Sequence, residues 1–240
     1  VGASVTYGRN VSNGAVSSGG GSLADKGLVQ MIYLERPVAL YTEKDVEYVN
    51  GFNSLLDTVS EETFKKTIYQ RTQGNVYFNW DIIKGLTLRL SASGSVSDSD
   101  LKEFYSSHSR WGQSKNGYGV VKNVGTFNWN AAATLTYKKS WDKTHNFDVM
   151  LGGEMSQYSN DNFTLTGYNY EDQSTGAYNI GKAGVIESPT QSLTESARMS
   201  AFGRANYNYK SRYYATLNFR ADGSSKFYAG NRVGYFPSVS

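Results

Sequence analysis

Between Leu86 and Ser97 the side chains alternate strictly between two kinds. Leu86, Leu88, Leu90, Ala92, Gly94 and Val96 fall on one side. Thr87, Arg89, Ser91, Ser93, Ser95 and Ser97 fall on the other. A strand points successive side chains to opposite faces, so a period of two sorts these residues cleanly. A helix would wrap both sets around one cylinder. The length is close to the ~10 residues of a strand that crosses a bilayer. The same alternation recurs. Val76, Phe78, Trp80 and Ile82 alternate with Tyr77, Asn79 and Asp81. Phe127, Trp129, Ala131, Ala133, Leu135 and Tyr137 alternate with Asn128, Asn130, Ala132, Thr134, Thr136 and Lys138. Phe147 to Met155 and Tyr213 to Ala221 repeat it. Residues 1–9, 197–209 and 233–240 follow more loosely, with Phe202 and Phe236 on the polar side. The reading is an all-β chain of about eight antiparallel strands.

The connections alternate in length. Short turns are expected at 83–85, near 140–145 and at 210–212. Long loops are expected at roughly 10–63, 98–123 and 157–195, with a shorter one at 222–232. Short turns on one side and long loops on the other mark an up-and-down transmembrane β-barrel. Trp80, Tyr137, Trp141, Phe147, Tyr207, Tyr209 and Tyr213 cluster near the short turns, where an aromatic girdle would meet the membrane surface. The loops are too long for a minimal eight-stranded barrel. Val1 opens the chain without an initiator Met, and Ser240 falls inside an alternating run. One arc of a larger barrel is therefore expected.

Composition removes other classes. The absence of Cys excludes disulfide scaffolds, thiolate zinc sites and cysteine nucleophiles. His108 and His145, the two histidines, leave little for a histidine metal site. A net charge of +3 is too mild for a nucleic-acid binder. A mean hydropathy of −0.51 and the lack of any ~20-residue apolar run exclude a spanning helix. Yet 19 Tyr, 11 Phe and 4 Trp are a heavy aromatic load for so polar a chain, and they suit strands.

The last third carries a more specific signal. Phe202-Gly203-Arg204, Asn206-Tyr207, Tyr209-Lys210 and Arg212-Tyr213 are followed by Arg220-Ala221-Asp222-Gly223-Ser224-Ser225-Lys226-Phe227 and then Asn231-Arg232-Val233-Gly234-Tyr235-Phe236-Pro237-Ser238-Val239-Ser240. This block resembles one found in SusC/RagA-type TonB-dependent outer-membrane transporters. Gly74-Asn75-Val76-Tyr77, continuing to Ile82-Ile83-Lys84-Gly85-Leu86, is similar to a hairpin of the same family, as are Asn116-Gly117-Tyr118 and Lys143-Thr144-His145-Asn146. Val233 departs from the family, which usually has Trp there.

The resemblance implies a mid-barrel stretch, residues 1–240, of a barrel of about 22 strands closed by an internal plug. It implies a multi-pass protein of the bacterial outer membrane, energised by the TonB complex and lidded by a SusD-like surface lipoprotein. The cargo it implies is an oligosaccharide or a peptide. The plug, the TonB box and the C-terminal strands are expected to lie outside this chain. No cofactor, metal or nucleic acid is implied.

Tyr105, Trp111 and Tyr118 of the second long loop, with Tyr168 and Tyr170 of the third, carry aromatic faces that stack on sugars or grip peptides. They suit cargo contact or lid docking. Arg89, Asn128, Asn130, Arg204 and Arg220 fit a wet lumen, facing plug or water. Asp222-Gly223-Ser224-Ser225 reads as a tight extracellular turn, Asp capping and Gly at positive φ. Gly19-Gly20-Gly21-Ser22 lacks the spaced Gly and Lys of a phosphate loop. A short helix is expected over Leu23 to Leu34, with Asp25 and Lys26 near its start. Asp98, Asp100, Lys102 and Glu103, and the pair Glu61-Glu62, read as solvated loop charges. His108 reads as an exposed loop histidine.

Two other readings stay open. A soluble all-β carbohydrate-binding or adhesin module predicts solubility without detergent. A small complete barrel predicts pairing of residues 1–9 with 233–240. An enzyme is the least favoured class, because no Ser/His/Asp or metal constellation can be assembled.

Overall fold

The computed structural model describes residues 1–14, 62–109, 111–142, 144–228 and 230–240. The expected helix at 23–34, the Gly19–Gly21 run, Asp25, Lys26 and Glu61 lie outside the described residues. The strands are β1 (Gly2–Asn13), β2 (Thr63–Ile83), β3 (Leu86–Tyr105), β4 (Tyr118–Trp141), β5 (His145–Tyr170), β6 (Ala183–Ile186), β7 (Thr190–Tyr209), β8 (Tyr213–Ser224) and β9 (Val233–Val239). They form one sheet, ordered β1-β2-β3-β4-β5-β7-β8-β9, with every pair antiparallel.

β6 pairs with β5 just beyond the end of β7, Gly167 facing Ile186 and Thr164 facing Thr190. Three residues, 187–189, therefore oppose two. Pro189 lacks an N–H to continue the ladder, which breaks one column into two pieces. Nine strands thus make eight columns. The sheet is open: among the described residues β1 and β9 lie at its edges and do not pair, so this is not a closed eight-stranded barrel.

Register turns the sequence alternation into two faces. One row across all eight columns reads Ala3, Val76, Ala92, Ala131, Met155, Met199, Gly223 and Val233. The adjoining row reads Ser4, Asn75, Ser93, Asn130, Ser156, Arg198 and Ser224. A slip of one residue anywhere would put leucines among serines. On β3 the apolar run Leu86 to Val96 spans ten steps of about 3.3 Å, or about 33 Å along the strand. Tilted by about 40°, that is about 25 Å of height, the apolar band of a membrane barrel. The run ends at Asp98 and Asp100 on β3 and at Gln157 on β5.

Side chains of the band are open to the surroundings. Leu151 is 60% exposed and Met199 is 68% exposed. Among the described residues the buried hydrophobic cluster lies elsewhere, at the long-connection end, around Phe104 and Tyr170.

The short turns fall where the pattern places them. Gly85 (φ 87) closes β2 on β3, a conformation that glycine adopts without steric cost. The aromatics expected near these turns share the apolar face, and His145 joins them. Its ring stacks on Trp141 at 5.8 Å and bonds the Tyr207 hydroxyl at 2.7 Å.

The long connections are shorter than expected. β3 continues to Tyr105 and β4 starts at Tyr118; β5 continues to Tyr170. Asp98, Asp100, Lys102 and Glu103 are therefore strand residues. Asn123 donates to Asp100, and Lys65 pairs with Glu103 at 2.7 Å. Above the band both faces mix polar and apolar side chains, so period two fades while the backbone ladder continues. The expected turn at Asp222-Gly223 is also displaced. Both residues are in β8, and Gly223 is not at positive φ; the turn comes later, with Gly230 at φ 107. Gly223 faces Met199, whose carbonyl lies 3.4 Å from where a Cβ would stand.

Candidate functional site

The site is built at the long-connection end. Tyr105, Tyr118 and Tyr168 are register neighbours on three adjacent strands. By alternation they share the polar face with Arg89, Asn128 and Asn130. The turn after β3 brings in two more groups. Ser109 anchors it, donating to the Ser106 carbonyl at 2.7 Å and accepting from the Gly112 N–H at 3.1 Å. Trp111 then stands 6.3 Å from the Tyr105 ring, and Tyr118 stacks on Tyr105 at 6.1 Å. Lys115 ends a short 3₁₀ segment, Gln113–Lys115. Its ammonium lies 4.6 Å over Tyr118, 5.0 Å over Tyr168 and 3.3 Å from Glu187. Cation and rings attract through the ring quadrupole.

Four of the five expected aromatics are thus gathered, and they sit on or beside strand ends. Tyr105 is only 4% exposed, so it backs Trp111 and Tyr118 and offers little face of its own. Tyr170 is a correction. Asn169, at φ 62, reverses the alternation and turns Tyr170 onto the other face. There its ring meets Phe104 edge-on at 5.3 Å and is 1% exposed. With Phe64, Ala177 and Ala183 it forms the rim core, and it has no surface left for cargo. Glu62 is a second correction. It is half-buried, accepts from Ser106 and pairs with His108 at 3.3 Å, so it ties the turn down. Lys115 and Glu187 went unseen in the sequence, because contacts over 72 residues leave no local pattern.

Two titratable groups at the rim are displaced. Burial pushes the Tyr170 phenol above 10.0. The neutral phenol is then favoured in the folded rim. Rim stability should be level below the ordinary tyrosine value and fall as pH rises above it. Asp172 is held below the usual carboxylate range by its bond from Lys182 and then by Ser174. That stabilisation is present above the ordinary carboxylate value and is lost as pH falls below it. Amide exchange of residues 171–186 followed from neutral to alkaline pH checks the first; an acid titration checks the second.

Further down, the polar face carries a second cluster. Arg220 donates from Nε to Asp222 at 2.7 Å and from Nη2 to Ser200 at 3.0 Å, and it pairs with Glu154. A concavity of about 710 Å³ adjoins it, lined by Glu154, Arg198, Arg220, Asp222, Lys226 and Phe236, among others. The two aromatics that break the alternation flank Arg220 in one row, Phe202-Arg220-Phe236. Phe202 fits there because Gly152 has no side chain: a Cβ would lie 2.5 Å from the Phe202 ring and 3.0 Å from Thr134. Gly152→Val is expected to displace that ring and cost about 1–3 kcal/mol, read from the urea midpoint. Arg89 lies 5.4 Å from the Tyr77 ring. Arg204 faces Met150 and Asn218 across the ladder, and Asn128 faces Ser95 and Tyr158. Among the described residues no group of three His, Cys, Asp or Glu is placed to hold a metal ion.

No family model matches the chain. It is 24% identical over 245 residues to TonB-dependent receptor P3 of Formosa agariphila, matching 99% of this chain and 24% of that protein. It is 27% identical over 168 residues to TonB-dependent receptor SusC of Bacteroides thetaiotaomicron, matching 69% of this chain and 16% of that one. The chain therefore spans a quarter or less of the length of these relatives. Among solved structures, the RagAB peptide transporter superposes with a TM-score of 0.74 at 18% identity, over 98% of this chain and 28% of that chain. That likeness establishes the fold, an arc of an antiparallel up-and-down barrel. In sequence the chain is similar to TonB-dependent receptors along nearly its whole length, and to SusC over about two thirds of it.

Proposed function

We propose, from that similarity, that this chain is part of the barrel wall of a TonB-dependent nutrient importer in the bacterial outer membrane. The single observation that carries the reading is the continuous apolar face, in register through eight columns and left open. A soluble protein rarely exposes a contiguous apolar patch of more than a few hundred Å². In hydrocarbon the same face is at its most favourable, and the strands between β1 and β9, paired on both sides, keep their ladder groups bonded. The polar face then lines the lumen, and Arg89, Asn128, Asn130, Arg204 and Arg220 meet water or a plug. A SusD-like lipoprotein lid and a TonB-coupled plug would complete the machine, importing an oligosaccharide or a peptide without bond chemistry.

In this frame the rim of Trp111, Tyr118 and Tyr168 around Lys115 meets cargo or lid at the extracellular mouth. Aromatic and basic anchors dominate such contacts. Trp111→Ala is expected to weaken cargo or lid binding about tenfold, with the barrel's thermal stability unchanged. The deciding experiment takes the protein from a detergent-solubilised membrane fraction and measures its intact mass together with its co-purifying chains. A receptor several times this chain's mass, with a lipoprotein partner, supports the reading. A protein recovered without detergent from the soluble fraction overturns it.

A further inference from the structure

The short-turn end of the apolar face carries cations that no carboxylate among the described residues neutralises. Lys139, Lys210 and Arg212 are exposed, and among the described residues none has a carboxylate within salt-bridge distance. Two of them sit over the aromatic girdle. The Lys139 ammonium lies 5.9 Å from the Trp141 ring and the Lys210 ammonium 5.2 Å from the Tyr209 ring. Between these rings stands His145, stacked on Trp141 at 8° and 4.9 Å from Tyr209. The two turns are joined, because the Lys210 N–H donates to the Thr144 carbonyl at 2.7 Å. Lys210 and Ser211 both adopt positive φ, 51 and 55, in a turn where Asn-Gly would be unstrained. The strained pair is held by Asn208, whose side-chain oxygen accepts from the Ser211 N–H at 2.8 Å. Asp142 is the one carboxylate in these turns among the described residues; Asp148 lies on the other face, paired with Lys138 at 3.8 Å.

The geometry points to a head-group site for an anionic phospholipid where the turns after Trp141 and Tyr209 meet. The phosphodiester of a lipid in the adjoining leaflet would sit among Lys139, Lys210 and Arg212. Its acyl chains would lie along Tyr207, Ala205 and Leu217 of the apolar face. Cations beside a bilayer surface attract anionic lipid, and aromatic rings at the same level hold the depth. The inference rests on the membrane placement proposed above.

The test uses the full-length protein in nanodiscs of phosphatidylcholine with one-tenth phosphatidylglycerol. Lipid retained on the protein is counted by native mass spectrometry. Retained phosphatidylglycerol should exceed its bulk share. Lys139→Gln and Lys210→Gln should each lower that enrichment about fivefold. Lys66→Gln, at the other end of the same face, should leave it unchanged. Heat-modifiable migration on gels confirms that each variant is folded. Insertion without enrichment, or enrichment insensitive to both variants, overturns the lipid site and leaves the membrane placement standing. Failure of the wild-type protein to insert overturns both.

Discussion

Leu151→Arg is expected to cost about 2–4 kcal/mol of barrel stability, the penalty for a cation near the bilayer midplane on a lipid-facing strand position. Leu151 lies between Leu135 and Gly203 in the row that also holds Trp80, Leu88, Phe219 and Pro237. It touches little protein, so the loss would come from desolvation of the guanidinium and scarcely from lost packing. Ser93→Arg is the paired control. Ser93 is exposed on the polar face between Asn75 and Asn130, where a cation meets water or polar groups. It should change stability by less than about 0.5 kcal/mol. The measurement is the urea midpoint of refolding into vesicles, with heat-modifiable migration as the readout of closure. Equal effects of the two substitutions would refute the assignment of the faces.

The second large effect concerns the rim. Tyr170→Ala should remove about 3–5 kcal/mol from the local stability of the rim, by emptying the space its ring fills against Phe104 and Ala177. Tyr170→Phe should act in the opposite direction. The phenol oxygen is buried and has no hydrogen-bond partner among the described residues, so deleting it should raise rim stability by about 1 kcal/mol. Gly119 sets the fit from the other side, since a Cβ there would lie 2.5 Å from that oxygen. Amide exchange of residues 171–186 reads all of these. A destabilised Tyr170→Phe variant would mean that the hydroxyl has a bonding role.

These two effects separate the physics of the two ends of the sheet. In the band, stability comes from matching side chains to a solvent, residue by residue. At the rim it comes from protein packing. Phe104, Tyr170 and Ala177 are the buried apolar core because there a folded connection covers the wall. Elsewhere the wall presents one face to each of two environments.

That difference explains how much was legible in the chain. The alternation from Leu86 to Ser97 determined strand, face and span, because a two-residue period survives only where the two faces meet different media. The same logic located the short turns at 83–85 and 210–212, the first one residue longer than in the structure, where Ile83 still belongs to β2, and the girdle aromatics. It failed above the band, where Asp98 to Tyr105 remain in the ladder although both faces mix polar and apolar side chains. It could not foresee that Asn169 would turn Tyr170 from the mouth into the core, since one left-handed residue reverses the parity of the residues after it. Nor could it see Lys115 between Tyr118 and Tyr168, or Phe202 lying over the absent side chain of Gly152. Periodicity is a property of neighbours in the chain, and it carries the faces of each strand. The mouth, the ion cluster and the joined turns depend on which strands stand side by side and in what register, and only tertiary structure decides that.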